Sequence, residues 1–237
     1  MKKNRMMRLA SILLVCVLLT TSVISGTFAK YTTEVNSDDK ARVAYWGFQS
    51  SNSMDITGLF KDVYGNVDSI NGDDVIAPGT TGSADFTFAW DEDVSAYGSP
   101  VTVTGPEVSY NFAIKVDAVC DPLIKKNKSI TWSLDNELAP AVNGFEKGSF
   151  DALIVAIRKL SGSQGGQQVY GPNTLPDAFS ENDDKHTISW TWAINGSNTY
   201  EVDGETLTQD QYDTYMGNAA NLDDVSIEIT ITATQVD

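Results

Sequence analysis

Residues 108–118 read Val-Ser-Tyr-Asn-Phe-Ala-Ile-Lys-Val-Asp-Ala. From Val108 to Val116, a large apolar side chain occupies every second position and alternates with a smaller or polar one. Successive side chains of a β-strand point to opposite faces of its sheet, so this period of two predicts a strand with one buried and one wet face. The stretch therefore indicates a protein built from β-sheets.

Four further segments repeat this alternation, at 84–90, 130–134, 188–194 and 225–231. Weaker strand candidates lie at 42–48, 54–59 and 101–104. Turn-forming pairs separate the segments: Asn71-Gly72, Pro78-Gly79, Gly105-Pro106, Asn143-Gly144 and Asn195-Gly196. Gly and Asn tolerate the positive φ that tight turns need, and Pro presets a turn. About eight strands predict an all-β fold with two stacked sheets, a β-sandwich covering residues 41–237.

One tight hairpin is predicted late in the chain. Asn195-Gly196 is followed by Thr199-Tyr200-Glu201-Val202, which has the composition of a short strand. We expect the turn at Asn195-Gly196 to join this strand to the one before it. Asp203-Gly204 would then end the strand.

Two segments depart from the β pattern and predict short helices on the loops of the sandwich. The first has apolar residues at helical spacing from Phe150 to Leu160, with Ser149 as the N-cap and Gly162 just beyond its end. The second is shorter and spans 208–216, with Thr208 as the N-cap and Gly217 as the terminator.

Composition excludes several classes of partner. The formal net charge is −16, and 41% of the residues are hydrophobic. A chain of this size can bury a stable core without a disulfide or a metal. An acidic surface repels phosphate and anionic lipid, which argues against a nucleic-acid partner and against peripheral membrane binding. Of the two cysteines, Cys16 lies in the leading apolar run, so Cys120 is predicted to be a lone buried thiol.

The first 29 residues have the layout of a secretory signal peptide. Residues 1–8 are basic, 9–24 are apolar, and Thr27 and Ala29 are small residues at positions −3 and −1 of a cut between Ala29 and Lys30. A signal peptidase is thus an expected partner during export, and the product is expected in the extracellular space or the cell-surface matrix. The alternative is a retained anchor, in which case the uncleaved leader would be the only membrane contact.

Short motifs along the chain resemble the TasA/camelysin family, secreted bacterial proteins processed by the signal peptidase SipW. They are Gly26-Thr-Phe-Ala-Lys-Tyr-Thr-Thr33, Ala41-Arg-Val-Ala-Tyr-Trp-Gly-Phe48, Ala77-Pro78-Gly79, the strand with Trp190 and Trp192, Asp213-Thr214 with Gly217, and the closing residues 232–237. The resemblance implies a jelly-roll form of the sandwich. In the TasA branch it also implies biofilm-matrix fibres, in which the N-terminal strand of one subunit completes a sheet of the next.

The segment that follows the predicted cut suits strand donation. Tyr31, Thr33 and Val35 alternate as a donor strand requires, because main-chain hydrogen bonds and alternate side chains are all that strand addition needs. We therefore interpret 30–40 as a flexible N-terminal segment and a candidate donor strand, which cleavage would release. The alternative is a frayed terminus, which the polar run 36–39 favours equally.

No constellation of catalytic residues is recognisable. His186, the single histidine, is predicted to lie in a surface turn beside the acidic run 181–184. One histidine cannot supply the two imidazoles of a zinc-protease helix, so we expect no camelysin-like metallopeptidase activity. Asp213, Thr214 and Gly217, which the resemblance singles out, are interpreted as structural residues whose side chains bond to backbone groups in a tight turn. No catalytic, cofactor-binding or metal-binding residue is assigned.

Carboxylates cluster at 73–74, 91–93, 181–184 and 223–224, beside predicted turns. Such oxygens could gather around calcium, but none of the clusters has the spacing of a calcium loop. The leading hypothesis is therefore a non-enzymatic structural protein that self-associates into extracellular fibres or biofilm matrix. The alternative is a secreted adhesin or glycan-binding sandwich that uses acidic loops, with calcium as its one candidate cofactor.

Overall fold

Strands are the main regular elements of the described chain. The computed structural model describes residues 56, 58–60, 64–65, 67, 74–87, 93–96, 99–102, 105–176, 179, 185–219 and 222–236, all within the unit Arg42–Asp237. These ranges contain eleven strands: β1 Thr81–Thr87, β2 Asp93–Ala96, β3 Ser99–Thr102, β4 Tyr110–Val119, β5 Ile130–Leu134, β6 Glu137–Leu138, β7 Gln167–Tyr170, β8 Lys185–Trp192, β9 Thr199–Val202, β10 Glu205–Thr208 and β11 Ser226–Gln235. The fold is all-β, as the period of two predicts.

All strand pairs are antiparallel. One sheet has the order β1-β8-β5-β6, and a second has the order β11-β4-β7. Two hairpins, β2-β3 and β9-β10, stand apart from these sheets. The strand predicted from residues 108–118 is β4, the central strand of the second sheet, and its ten residues pair with all ten of β11.

Both sheets contribute their apolar faces to one hydrophobic core. In the first sheet Trp132 lies directly opposite Trp190, and both indoles are almost fully buried. The Trp190 indole N–H donates to the Leu59 carbonyl at 2.8 Å, so the polar atom of this ring is satisfied inside the core. In the second sheet Tyr110, Phe112, Ile114 and Val116 of β4 form the buried face. Trp132, Trp190 and Trp192 all face this core and are buried.

Three short helices accompany the strands in the described residues, one more than predicted. They are α1 Pro122–Lys126, α2 Phe150–Lys159 and α3 Gln209–Gly217. Ser149 caps α2 by accepting from the Ala152 amide, and Thr208 caps α3 in a reciprocal capping box with Gln211. Helix α1 was missed because it is only five residues long and has no apolar repeat, although Asp121 caps it ahead of a helix-starting proline.

Helix α2 joins the two sheets. Its buried face packs on β4 of one sheet and on β5 of the other, and the Phe150 ring meets the Trp132 indole edge to face at 5.0 Å. Arg158, near the end of α2, donates to the Val116 carbonyl at 3.0 Å. The helix therefore covers the part of β4 that lies beyond the short strand β7.

The predicted hairpin at Asn195-Gly196 is wrong. The tight hairpin lies at Asp203-Gly204, where β9 pairs with β10 and both turn residues have positive φ, 51° and 85°. Two successive residues with positive φ form a type I′ turn, whose twist matches that of the two strands in a two-residue hairpin. A second turn of the same kind, Asp135-Asn136, joins β5 to β6 and was not foreseen.

Several predicted segments have mixed outcomes. β1 confirms the first part of the strand predicted at 84–90, whereas residues 88–90 lie outside the described ranges. Residues 42–48 and half of 54–59 also lie outside them, and the described residues Ile56, Gly58 and Leu59 belong to no strand, so the strand predicted there is not seen. Gly217, predicted to terminate the second helix, is instead the last residue within α3, and Asn218 forms the C-cap.

Gly82 provides a test of the close packing between β1 and the core. A Cβ atom at this position would lie 2.0 Å from the Leu59 carbonyl oxygen and 2.5 Å from Trp190 Nε1. We expect Gly82→Ala to lower the free energy of unfolding by about 2–4 kcal/mol, because it disrupts a buried hydrogen bond and overpacks the core. Urea unfolding followed by tryptophan fluorescence measures this change. Gly65→Ala is the matched control, since nothing lies within 4 Å of its added Cβ.

Candidate functional site

The residues predicted for cleavage and strand donation cannot be placed. Ala29, Lys30, Tyr31, Thr33 and Val35 all lie outside the described residues, so these assignments stay predictions. The other end of the proposed contact, an acceptor edge on a sheet, is open to inspection.

The long open edge of the second sheet belongs to β11. In the described chain this strand has one neighbour, β4, and its other side carries no strand. The Val236 amide donates to the Ser109 carbonyl at 3.0 Å, which continues the β4-β11 ladder by one residue. Hydrogen bonding alternates along an antiparallel pair, so the even-numbered residues of β11 bond to β4. The odd-numbered residues point their N–H and C=O groups to the outer side.

The opposite side of β4 agrees with this alternation. The Ile114 amide donates to the Gly166 carbonyl at 2.7 Å, and the Val116 carbonyl accepts from Arg158. Even-numbered residues of β4 therefore bond away from β11, as the assigned pattern requires. Five residues of β11 present main-chain groups at its outer edge: Ile227, Ile229, Ile231, Ala233 and Gln235. No described residue bonds to these groups.

Four of these five residues, all except the exposed Gln235, also pack their side chains on the core. Ile227 is buried, whereas Ile229, Ile231 and Ala233 are only partly buried. In β4, by contrast, four of the five inward side chains are at most 2% exposed, and Ala118, opposite Ile227, is partly buried. The apolar face of the sheet is thus more exposed to solvent at β11 than at β4. One more strand beside β11 would cover part of this exposed surface.

A buried polar network surrounds Asp213. This side chain projects from α3 and accepts from Asn127 Nδ2 at 2.8 Å. Asn127 Oδ1 in turn accepts from the Ser129 amide and from the Tyr200 hydroxyl. The Tyr200 ring stacks on Tyr212 of α3 with centroids 4.0 Å apart. Asp213 therefore ties α3 to the segment between α1 and β5.

Burial raises the pKa of Asp213, and the hydrogen bond from Asn127 opposes this effect. Trp192 and Gln209 also lower the pKa of Asp213, although the Trp192 indole nitrogen makes no hydrogen bond of normal geometry to any described residue. Thr214 donates to the Asp210 carbonyl one turn earlier in α3. Asp213 and Thr214 thus act within a helix rather than in the tight turn that we predicted.

His186, predicted to lie in a surface turn, is buried in β8. Its Nδ1 lies 2.9 Å from a carboxylate oxygen of Asp135, and its ring packs near Phe86 with centroids 5.4 Å apart. Asp135 also accepts from the Thr187 amide, which fixes its position at the β5-β6 turn. The histidine thus holds this turn to the strand.

Cys120 is buried, as predicted, and burial raises the pKa of its thiol to about 12. A thiol with so high a pKa is a poor nucleophile at neutral pH. Among the described residues, no group of three or more His, Cys, Asp or Glu side chains could hold a metal ion. In the predicted carboxylate cluster at 223–224, the Asp223 amide donates a hydrogen bond to the Asp121 carboxylate.

Comparison with known proteins gives no further guide. No family model, curated protein or solved structure matches this chain. In the ranges that the structure describes, no helix is both long and apolar enough to cross a membrane. The resemblance to the TasA/camelysin family therefore stays a prediction.

Substitution of Asp213 tests the buried network through its pH dependence. A carboxyl whose pKa is raised in the folded state stabilises the fold at pH values below its pKa in the unfolded chain, near 3.8. This contribution is lost as the pH rises through the pKa of the carboxyl in the folded protein. Asp213→Asn abolishes the titration, so the free energy of unfolding of the variant relative to the parent should increase between pH 4 and pH 7. Urea unfolding across that range measures it.

The control is Asp213→Ala, which leaves the buried amide of Asn127 without this acceptor. Neither variant titrates at this position, so we expect the free energy of unfolding of Asp213→Ala to lie about 1–3 kcal/mol below that of Asp213→Asn at every pH. Parallel pH profiles for the parent and Asp213→Asn would contradict the assignment.

Proposed function

We propose that this chain is an exported structural subunit, TasA-like in its assembly, which forms extracellular fibres or matrix by strand addition. The N-terminal segment of one copy, with Tyr31, Thr33 and Val35, would add to the outer edge of β11 in the next copy. The observation that carries the proposal is this edge, where five residues direct their main-chain groups away from β4 and no described residue takes them up.

The edge lacks the features by which proteins avoid unwanted strand pairing. Natural edge strands are shortened, bulged, or carry lysine, proline or inward-pointing charges. β11 is ten residues long, pairs with β4 without interruption, and reads Ser-Ile-Glu-Ile-Thr-Ile-Thr-Ala-Thr-Gln. Its only charged side chain is Glu228, which is exposed. Such a strand is suited to accept another.

Donor and acceptor lie on different parts of the same chain, so the contact would be heterologous. Contacts of this kind, when they do not close into a ring, build open filaments from identical subunits. Main-chain hydrogen bonds would supply much of the affinity, and alternate donor side chains would cover the partly exposed Ile229, Ile231 and Ala233.

The subunit would act through interfaces and without catalysis. His186 is held by Asp135 inside the first sheet, and the Cys120 thiol is buried with a raised pKa. Both side chains are buried, which shields them from a substrate. These positions support the proposal that the protein is not an enzyme.

The first test compares chains beginning at Lys30 and at Ala41. The shorter chain retains the whole unit Arg42–Asp237 but lacks the candidate donor. We expect filaments in negative-stain electron microscopy, and growing light scattering, from the longer chain alone. Matching thermal unfolding of the core would show that both are folded. Monodisperse behaviour of both chains across concentration and pH would overturn the proposal, and a response of the monomer to calcium or glycans would favour the adhesin.

The second test blocks the acceptor edge. Ile231→Pro removes an N–H group that points away from β4, so the β4-β11 ladder should survive while strand addition fails. Ile231→Ala is the matched control, because it loses the same side chain but keeps the N–H group. In the chain beginning at Lys30, we expect the proline variant to remain monomeric by sedimentation velocity and the alanine variant to polymerise. Equal polymerisation of the two would exclude this edge.

A further inference from the structure

Charge is distributed unevenly along the open edge of β11. The even-numbered side chains of this strand face solvent, and Glu228, near the start of the strand, is the only charged residue among them. Asp223 and Asp224 come just before the strand and line one concavity with Ser226, its first residue. Beyond the other end of β11 the sequence places one acid, Asp237. The start of the strand is therefore its more acidic end.

The charge of Glu228 is not neutralised within the described chain. Glu228 lies opposite Asp117 in the β4-β11 ladder, so its cross-strand neighbour is another acid. Lys115, on the same face of β4, forms its ion pair with Asp117. The hydrogen bond to Asp117 raises the pKa of this lysine, and the charge of Glu228 adds to the effect. One lysine thus serves two carboxylates, which leaves a net negative charge beside the open edge.

The candidate donor has a basic end and an acidic end. A cut between Ala29 and Lys30 would leave two positive charges on Lys30, one on its side chain and one on the new α-amino group. Lys30 is an even-numbered residue, so it would face solvent when Tyr31 and its alternates face the core. The other end of the donor continues into Asp38-Asp39.

The donor could run in either direction and still cover the same partly exposed side chains of β11. A parallel donor that sets Tyr31 opposite Ile229 sets Lys30 opposite Glu228. An antiparallel donor that sets Tyr31 opposite Ala233 sets Asn36 opposite Glu228. Both directions use the outward main-chain groups of the odd-numbered residues of β11. In both, the three alternate donor side chains lie beside Ile229, Ile231 and Ala233.

The charges distinguish the two directions. A parallel donor brings both positive charges of Lys30 to Glu228 and the acids that precede β11, and it carries Asp38-Asp39 to the end with the single acid. An antiparallel donor instead carries Asp38-Asp39 past Glu228 toward Asp223-Asp224. Lys40 follows the acidic pair in either direction and does not decide between them. Opposite charges on neighbouring strands stabilise the pairing and like charges destabilise it, so the charges favour the parallel donor.

We propose that the donor strand runs parallel to β11, with Lys30 of one copy opposite Glu228 of the next. The proposal rests on the fibre function proposed above and adds its polarity. Complementary charges across an interface fix its register. Parallel pairing is slightly less stable per residue than antiparallel pairing, so this polarity requires the charges to outweigh that difference. It also gives cleavage a chemical role, because the α-amino group exists only after the cut.

Disulfide cross-linking tests the polarity in chains that begin at residue 30. Neighbouring strands lie about 4.8 Å apart, which a disulfide between opposite residues can bridge. We expect Lys30→Cys with Glu228→Cys to give a ladder of covalent oligomers on non-reducing electrophoresis after mild oxidation. Lys30→Cys with Thr234→Cys is the matched control, because the antiparallel donor would set residue 30 opposite Thr234, which is also exposed. Cys120 is buried and common to both chains.

A charge swap gives an independent measurement. Lys30→Glu and Glu228→Lys should each raise the critical concentration for polymerisation roughly threefold, because an attractive surface pair becomes repulsive. Both substitutions in one chain should restore the parent value, as followed by light scattering. The antiparallel donor requires the opposite effect of Glu228→Lys, which would then attract Asp38-Asp39. Glu205→Lys is the control, since it makes the same charge change in the β9-β10 hairpin.

The outcomes separate the two proposals. If the parent forms filaments but the cross-link forms through position 234 and not 228, the polarity is wrong and the fibre function stands. Cross-linking of neither pair, or of both to the same extent, also overturns the polarity while filaments persist. A charge reversal that the combined variant does not restore does the same. A monomeric parent removes both proposals, including the case in which residue 30 cross-links to position 228 of its own chain.

Discussion

The antiparallel ladder between β4 and β11 is the interaction on which the second sheet depends. The N–H and C=O groups of each β4 residue point to one side of the strand. Those of the odd-numbered residues bond to β11. Among the even-numbered residues, Tyr110 and Phe112 pair with β7, the Ile114 amide donates to the Gly166 carbonyl, and the Val116 carbonyl accepts from the Arg158 guanidinium. Main-chain groups inside a protein rarely go unpaired. This requirement explains why α2 lies where β7 ends, and why the remaining open edge lies on β11.

Helix α2 and the network around Asp213 hold different parts of the core together by different means. Helix α2 does so by burial, since seven of its ten residues are inaccessible and Phe150 packs on Trp132. The segment before β5 is instead held to α3 through Asn127, Tyr200 and Asp213. Polar groups that are buried and paired specify one arrangement of the loops, because any other arrangement would leave them unsatisfied.

The period of two in the sequence was sufficient to predict the strands in which apolar and polar residues alternate regularly. It did not predict the features whose geometry depends on a single turn. β4 and the Trp132 and Trp190 strands follow directly from period two. His186 could also have been placed, because it continues the inward series of Ile188, Trp190 and Trp192 by one step; the acidic residues before it suggested a surface instead. The hairpin was misplaced because Asn-Gly and Asp-Gly carry the same turn signal, and only pairing decides between them. The contact between Asp213 and Asn127 joins residues too distant in sequence for any spacing rule.

The pairing of β4 with β11 also has a consequence for the order of events in time. Their residues are widely separated along the chain, so closing the ladder waits for nearly all of the intervening sequence to be made and collapsed. The β11 edge is therefore one of the last features to form as the polypeptide folds. In the proposed assembly, a newly made chain would offer this edge to a neighbour only once its own core is complete.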